Sequence, residues 1–278
     1  MINNSIIRKC TAILALTVSA AFMLEACAQE QKPVEKPTGI TMTTKASEVY
    51  ISVAGAKDIV IDWGDGKKSN MNDGSFAEAF GTFNFFQDFS GTTTARNIVI
   101  TGNIEQLIVS GNELTALDVS RDTTLTHLSC FSNQLTALDV SRNTALTSLN
   151  CHNNQLTTLD VSKNTALEDL LIDHNQLTTL DVSNNTALKN LHCPDNRITS
   201  VNMNAACPER LYWIDVKNNQ LTGSALNDLF RVLPDRTKIV ADFNEEINSG
   251  SISILGNPGY FDCAPDIVRE RGWRFYVR

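Results

Sequence analysis

Histidines and aspartates are the side chains of this sequence whose spacing could hold a metal ion. Asp173 follows His152 by 21 residues, and Asp195 follows His174 by the same interval. If the chain repeats its structure at that interval, each histidine lies beside a carboxylate on the next strand, about 4.8 Å away. Imidazole and carboxylate groups can together bind a transition metal. The two pairs fall at different positions of the interval and form no compact ligand motif. The sequence therefore favours a polar contact face and predicts no metal and no cofactor.

Common catalytic motifs do not occur in the chain: it contains no G-x-S-x-G, H-E-x-x-H, P-loop or C-x-x-C sequence. Such motifs place a nucleophile, a zinc-binding pair, a phosphate cradle or a redox pair at fixed spacing. Their absence predicts that the protein is not an enzyme. The alternative is a catalytic constellation assembled from residues of several repeats.

A 21-residue sequence repeat extends from Ile104 to about Leu221. Its clearest copy is LTSLNCHNNQLTTLDVSKNTA, residues 146–166. The copies align in columns of aliphatic residues and one unbroken column of asparagines. These asparagines are Asn112, Asn133, Asn154, Asn175, Asn196 and Asn219. A fixed period of this length is typical of a solenoid, in which no repeat can bury its apolar face alone.

The first half of each copy reads L-x-x-L-x-C-x-x-N-x-L, which resembles the leucine-rich repeat family and, at this length, the internalin type of bacterial surface repeat. Alternation at Leu149–Cys151 predicts a short strand with every second side chain inward. A buried asparagine both donates and accepts, so it can pair backbone groups that a bend leaves free. The second half, with Leu156–Val161 at its centre, has eleven residues around an Asp-Val-Ser sequence, which leaves little room for a helix and predicts an extended convex wall.

Four aspartates recur along that convex wall: Asp118, Asp139, Asp160 and Asp181. Like charges in register repel, but basic residues occur close by in the same copies. The sequence therefore predicts a solvated and partly neutralised face, with cation binding as the weaker alternative.

Five of the seven cysteines lie downstream of residue 27. Cys130, Cys151 and Cys193 occupy a column otherwise filled by valine and isoleucine, and a free cysteine packs as a small apolar side chain. We expect them to point inward, with a disulfide or metal role as the alternative. Cys207 and Cys263 could pair, but the sequence does not fix their separation.

Residues 1–26 have the features of a lipoprotein signal peptide, and the polar, proline-bearing residues 27–37 those of a tether. Basic residues precede an apolar run, Thr11 to Leu24, that is short for a membrane span. Leu24–Cys27 resembles a bacterial lipobox, although Glu25 stands where that motif has a small or apolar residue. The resemblance implies lipidation of Cys27 and a surface-exposed place on the cell outer membrane. The alternative is an ordinary signal peptide cut nearby.

Residues 38–102 are predicted to form a small β-sandwich module. The predicted strands are Ile40–Thr44, Val49–Val53, Ile59–Asp62 and Asn97–Thr101. The segment VIDWGDGKK, around Trp63, resembles the polycystic-kidney-disease type of module. Asp62 and Asp65 lie in this segment, where Asp-Gly favours a hairpin turn over a calcium site.

The fold class is therefore predicted as mainly β. Residues 103–222 form a leucine-rich repeat solenoid of about six turns with an extended convex side, and residues 223–278 form a small α+β C-terminal cap. In the cap, Ser224 is the expected N-cap of a helix that ends before Pro234. A second helix is expected from Pro265 to Arg271, between two strands.

The framework of the repeat hardly varies, whereas outward positions of the concave strands do, which is the contrast expected of a recognition face. The predicted contact residues are His127, Phe131, Asn150, His152, Asp173, His174, His192, Asp195 and Trp213. A net charge of −8 opposes nucleic-acid binding. The sequence predicts a non-catalytic binding or adhesion protein of the bacterial envelope with an extracellular protein ligand. One alternative is a glycan-binding lipoprotein of a nutrient-uptake system, with Trp213, Tyr212 and Phe131 stacked on sugar rings. The other is a structural spacer.

Overall fold

A computed structural model describes residues 39–71, 76–79, 82–204, 210–237 and 250–276. Within residues 38–278 these ranges belong to one compact unit. The predicted signal peptide, the tether and the lipidation site Cys27 lie outside the described residues, as does Cys207. In the described ranges no helix combines the length and the apolar character needed to cross a membrane.

The N-terminal segment forms seven strands that divide between two antiparallel sheets. They are β1 (Ile40–Thr44), β2 (Glu48–Ala54), β3 (Lys57–Asp62), β4 (Lys68–Asn70), β5 (Phe76–Ala79), β6 (Thr82–Asp88) and β7 (Arg96–Asn103). One sheet contains β1, β3, β4 and β7, and the other contains β2, β5 and β6. Trp63 is fully buried among them, and its Nε1 donates to Ser69 Oγ at 2.8 Å. The four predicted strands are confirmed, while the resemblance to the polycystic-kidney-disease module stays a prediction.

Short strands form the two walls of the solenoid. The concave wall contains β8 (Gln106–Ile108), β10 (His127–Ser129), β11 (Ser148–Asn150), β12 (Asp169–Leu171), β14 (Asn190–His192) and β16 (Trp213–Asp215); the convex side contains β9 (Ala116–Asp118), β13 (Thr179–Asp181) and β15 (Ser200–Asn202). The concave strands are parallel, and Leu149 is paired with Leu128 on one side and Leu170 on the other. Residues 21 apart thus lie side by side, and all three leucines are buried.

Asparagine side chains connect successive turns. Asn154 Oδ1 accepts the backbone N–H of Leu135 at 3.0 Å, and its Nδ2 donates to carbonyls of Cys130 and Cys151. Asn257 repeats this pattern, because its Oδ1 accepts the N–H of Leu221 at 3.0 Å. The ladder therefore has seven members, and the solenoid is one turn longer than the six that the sequence predicts.

The convex wall is extended, as predicted, and its aspartates serve as turn caps. A carboxylate oxygen of each accepts the backbone N–H of the serine two residues later, at 2.9 Å for Asp139, 2.8 Å for Asp160 and 2.9 Å for Asp181. Hydrogen bonds from the hydroxyl and from the backbone N–H of these serines hold the pKa of the three carboxyls below its ordinary value. Asp62 and Asp65 accept N–H groups in the same way, which explains them as turn residues.

Both solenoid walls continue into the N-terminal sheets. Strand β2 pairs with β8, and β1 pairs with β9, in each case antiparallel. The first ladder asparagine, Asn112, bonds both the N–H and the C=O of Tyr50 in β2, at 2.8 and 2.7 Å. The N-terminal strands therefore cover the sheet edges that the first repeat would otherwise expose.

The C-terminal segment forms helix α1 (Gly223–Val232), strand β17 (Gly250–Ser253), helix α2 (Pro265–Glu270) and strand β18 (Trp273–Phe275). Strand β17 pairs in parallel with β16, and β18 with β17. The two predicted helices and two strands are present, but Thr222, not Ser224, caps α1: its hydroxyl accepts the N–H of Ala225 at 3.2 Å. The concave sheet runs through eleven strands, from β5 to β18.

Candidate ligand-binding face

The concave face is the outward side of the eleven-stranded sheet, and we describe it by three columns of side chains. The first column is Gln106, His127, Ser148, Asp169, Asn190, Trp213 and Ser251, and the second is Ile108, Ser129, Asn150, Leu171, His192, Asp215 and Ser253. The third follows the strands and contains Ser110, Phe131, His152, Asp173, Pro194, Lys217 and Leu255. Strand alternation produces this arrangement, because the residues between the first two columns point into the core.

His192 lies at the centre of a charged network on this face. Its Nδ1 is 3.3 Å from Asp173 Oδ1, and its Nε2 is 3.4 Å from Asp215 Oδ2. Hydrogen bonds to Asp173 and to Asp215 outweigh burial and raise the pKa of His192 to about 9. The ring is therefore an imidazolium at neutral pH that donates from both nitrogens. Lys217 Nζ, at 3.7 Å from Asp215 Oδ2, adds a second cation.

His174 extends the network to the rim of the face. Its Nδ1 is 3.1 Å from Asp173 Oδ2, and its Nε2 is 3.7 Å from Asp195 Oδ2. Burial opposes ionisation of Asp173, but hydrogen bonds from His192 and His174, together with the charge of nearby His152, hold its pKa below the ordinary value. The predicted proximity of His174 to Asp195, and of His152 to Asp173, is present in the structure.

Aromatic side chains flank the charged network. The Phe131 and His152 rings are stacked, with centroids 4.5 Å apart and an interplanar angle of 7°, and His152 Nδ1 is 2.8 Å from Asn150 Oδ1. On the C-terminal side, Trp213 packs edge-on against Tyr276, with centroids 4.8 Å apart. His127 is exposed in the first column, where its Nδ1 is 2.9 Å from Thr126 Oγ1.

Seven of the predicted contact residues thus form two groups that adjoin where His152 lies near Asp173. One group is Phe131, Asn150 and His152, and the other is Asp173, His174, His192 and Asp195. His127 contacts Thr126, and Trp213 packs against Tyr276.

Sequence reasoning missed Asp215, which completes the network although it is only 3% exposed. It follows His192 by 23 residues rather than 21, because the intervening turn is two residues longer. Alignment of the strand Trp213–Asp215 with the other concave strands would have placed the side chain of Asp215 on the outward side and so identified it. Sequence reasoning also missed the exposed residues Tyr50 and Phe86, whose strands join the concave sheet outside the repeat and carry no periodic signal, and the exposed Ile108 in the first concave strand.

Part of the variation along the rim has a backbone cause. The residue before each ladder asparagine lies in the left-handed region in five successive turns, with φ between 50° and 54°: Ser132, Asn153, His174, Asp195 and Asn218. Asparagine, aspartate and histidine are the non-glycine residues that this conformation tolerates best. The types at positions 174 and 195 are therefore restricted by geometry as well as by any ligand.

The face offers hydrogen-bonding groups, charge pairs and aromatic surfaces. Within the described residues, no three histidine, cysteine or acidic side chains are arranged to hold a metal ion. Cys130, Cys151 and Cys193 are free and fully buried in the core, and burial raises the pKa of the Cys130 thiol to about 12. Cys263 is also a free thiol.

A profile of the family described as leucine-rich repeats (two copies) matches residues 123–164. No curated protein sequence matches the chain. Among solved structures, the functional domain of InlJ from Listeria monocytogenes is 26% identical, with 61% of this chain and 48% of that chain covered and a TM-score of 0.43. A leucine-rich repeat protein of Leptospira interrogans is 22% identical over 62% and 48% of the two chains, with a TM-score of 0.45. The Listeria monocytogenes internalin InlF is 18% identical over 55% and 54%, with a TM-score of 0.33.

The chain spans about half the length of these solved proteins. The family match falls on two of the turns whose asparagines and leucines stand in register. Residues 123–164 therefore carry leucine-rich repeats, and the described part of the chain forms a mainly β solenoid of about seven turns.

Proposed function

We propose that this solenoid is a non-catalytic binding or adhesion protein that recognises a protein ligand through its concave face. The observation that carries the proposal is the contrast between the two sides of each concave strand. Inward positions are buried aliphatic or cysteine side chains in every turn, whereas outward positions differ from turn to turn. A rigid scaffold with a varied, partly charged surface is suited to specific recognition.

The size of the face favours a protein over a small ligand. Strands β6 and β17 are separated by eight strand-to-strand steps, which at about 4.8 Å each gives roughly 38 Å. The network around His192 pairs most of its charges internally, so a ligand meets oriented donors and acceptors rather than a strong field. Interfaces between proteins commonly combine such polar groups with aromatic contacts.

A glycan is the second candidate, because Trp213 and Tyr276 present an aromatic pair at the C-terminal side of the face. Phe131 is less suited to stack on a sugar ring than the sequence suggests, since His152 already covers one side of its ring.

We further propose that lipid attached to Cys27 holds the protein at the bacterial outer surface. Metabolic labelling with a fatty acid tests this point: label should enter the wild-type chain and be absent from Cys27→Ser. Label in both would contradict the anchor.

The ligand class is tested by applying the Cys27→Ser chain, from residue 27 onward, to arrays that carry extracellular proteins or oligosaccharides. We expect saturable binding to a protein and none to glycans. Binding to oligosaccharides alone would replace the proposal with the glycan alternative, and the absence of binding to either set would favour a spacer.

A further inference from the structure

A cavity of about 440 Å³ lies beside the last strands of the sheet. Its lining is largely apolar or aromatic and includes Leu255, Tyr260, Phe261, Cys263, Phe275 and Tyr276. Its volume is within the range of roughly 300–1,000 Å³ found for sites that enclose small organic groups. The cavity is therefore large enough for one bulky side chain of a bound protein.

Two lining residues connect the cavity to the concave face. Tyr276 packs against Trp213, which belongs to the first column. Leu255 ends the third column, and its carbonyl accepts the backbone N–H of Asn218 at 2.7 Å. A ligand that lies along the C-terminal part of the face thus meets the cavity without leaving the protein surface.

The cavity wall exposes apolar surface that is costly to leave in water. Phe261 is 91% exposed and Leu255 is 42% exposed, although both border a concave apolar site. Arg269 is the charged side chain of the lining, and its Nη1 is 3.0 Å from Asp266 Oδ1. Because that charge is paired, the chemistry of the site suits an uncharged occupant.

We infer that this cavity receives an uncharged aromatic side chain, of indole or phenyl type, from the protein that binds the concave face. The inference rests on the proposed function for the source of the side chain. A bulky aromatic group in a desolvated pocket is a common centre of binding energy at protein interfaces. The cavity would therefore anchor the ligand, while the network around His192 fixes its orientation.

The first test uses N-acetyl-tryptophanamide as the probe and the thiol of Cys263 as the reporter. Cys263 is free, half-buried and part of the lining. Saturating probe should slow its alkylation at mildly alkaline pH at least threefold, as measured by mass spectrometry of the peptide that contains it. N-acetyl-alaninamide should leave the rate unchanged. Equal rates with and without the tryptophan probe would overturn the inference.

The second test uses two variants with matched controls at the opposite end of the sheet. Leu255→Glu and Phe261→Ala should each weaken probe binding at least fivefold, as followed by NMR titration. The controls Ile108→Glu and Phe86→Ala make corresponding changes at side chains that are 44% and 46% exposed. They should leave probe binding unchanged. Equal weakening in the control variants would overturn the site assignment.

The inference about the cavity and the proposed function of the concave face can be disproved separately. Phe131→Ala should weaken the protein ligand but not the probe, whereas Leu255→Glu should weaken both. If a protein ligand is found and Leu255→Glu leaves its affinity intact, the anchor is wrong and the proposed function stands. If the probe binds at the cavity but no protein ligand exists, the proposed function fails together with the assigned source of the side chain.

Discussion

The amide oxygen of Asn154 accepts the backbone N–H of Leu135, which belongs to the preceding turn, at 3.0 Å. The same side chain donates to the carbonyl of Cys130, also in the preceding turn, and to that of Cys151 in its own. One buried residue thus satisfies backbone groups of two turns and fixes their spacing. The framework that this ladder holds leaves the outward positions free to vary.

Replacing this asparagine should destabilise the solenoid strongly. In Asn154→Ala the N–H of Leu135 loses its side-chain partner, and the carbonyl of Cys130 keeps only the donor from Asn133. We expect a loss of about 2–4 kcal/mol in the free energy of unfolding. Urea denaturation followed by circular dichroism measures it. The adjacent Gln155 is exposed, so Gln155→Ala should change stability by less than about 0.5 kcal/mol. Similar losses in the two variants would contradict the role of the ladder.

The charged network predicts that stability falls in alkaline solution. Folding raises the pKa of His192 from 6.5 to about 9, so the folded state binds this proton more tightly. Its contribution is fully present below pH 6.5 and is lost as the pH rises through about 9. Because the ring is 34% exposed, we expect only about 1–2 kcal/mol over this range. Unfolding free energies measured across the range should decline by that amount.

The matched variants for this measurement are His192→Gln and His127→Gln. The first should remove the decline between pH 6.5 and about 9, whereas the second should preserve it, because His127 contacts Thr126 instead of a carboxylate. If the pH dependence of the unfolding free energy is the same in His192→Gln as in the wild type, groups other than His192 cause the decline.

His174 lies in the left-handed region of backbone conformation, with a φ of 50°. This conformation predicts an unusual order of stability among variants at this position. Glycine adopts this conformation freely, so His174→Gly should change stability by less than about 1 kcal/mol. A β-branched residue does not, and His174→Val should cost about 1–2 kcal/mol or more. Thermal melts of the two variants provide the comparison. A valine variant as stable as the glycine variant would argue against the strained backbone.

The cysteine column predicts tolerance to apolar but not to polar replacement. Cys151 is fully buried, and its column contains Ile172 in the next turn and Val109 two turns before it. Cys151→Val should therefore cost less than about 1.5 kcal/mol, whereas Cys151→Ser buries a hydroxyl and should cost about 1–3 kcal/mol more. Chemical denaturation of both variants tests this, and a serine variant as stable as wild type would show that the position is not a dry core site.

The register of the repeat was predictable because the same residue types recur at a fixed interval, as at Leu128, Leu149 and Leu170. The seventh turn was not, since Asn257 follows Asn219 by 38 residues and helix α1 lies between them. Strand pairing between β2 and β8 also escaped prediction, because β2 lies outside the repeat and carries no periodic signal. Individual contacts of the candidate site followed from the register, but the completion of the network by Asp215 required the longer turn to be placed in space.

The central claim is that the concave face, and not the convex wall, binds the ligand. It is tested most directly by the affinity of the array-identified protein for two triple variants. Phe131→Ala, His152→Ala and Trp213→Ala together change the concave face, and Thr158→Ala, Thr179→Ala and Ser200→Ala together change exposed positions on the opposite wall. We predict at least a hundredfold loss of affinity in the first variant and less than a twofold change in the second. Unchanged affinity in the concave variant, with both proteins folded by circular dichroism, would contradict the account.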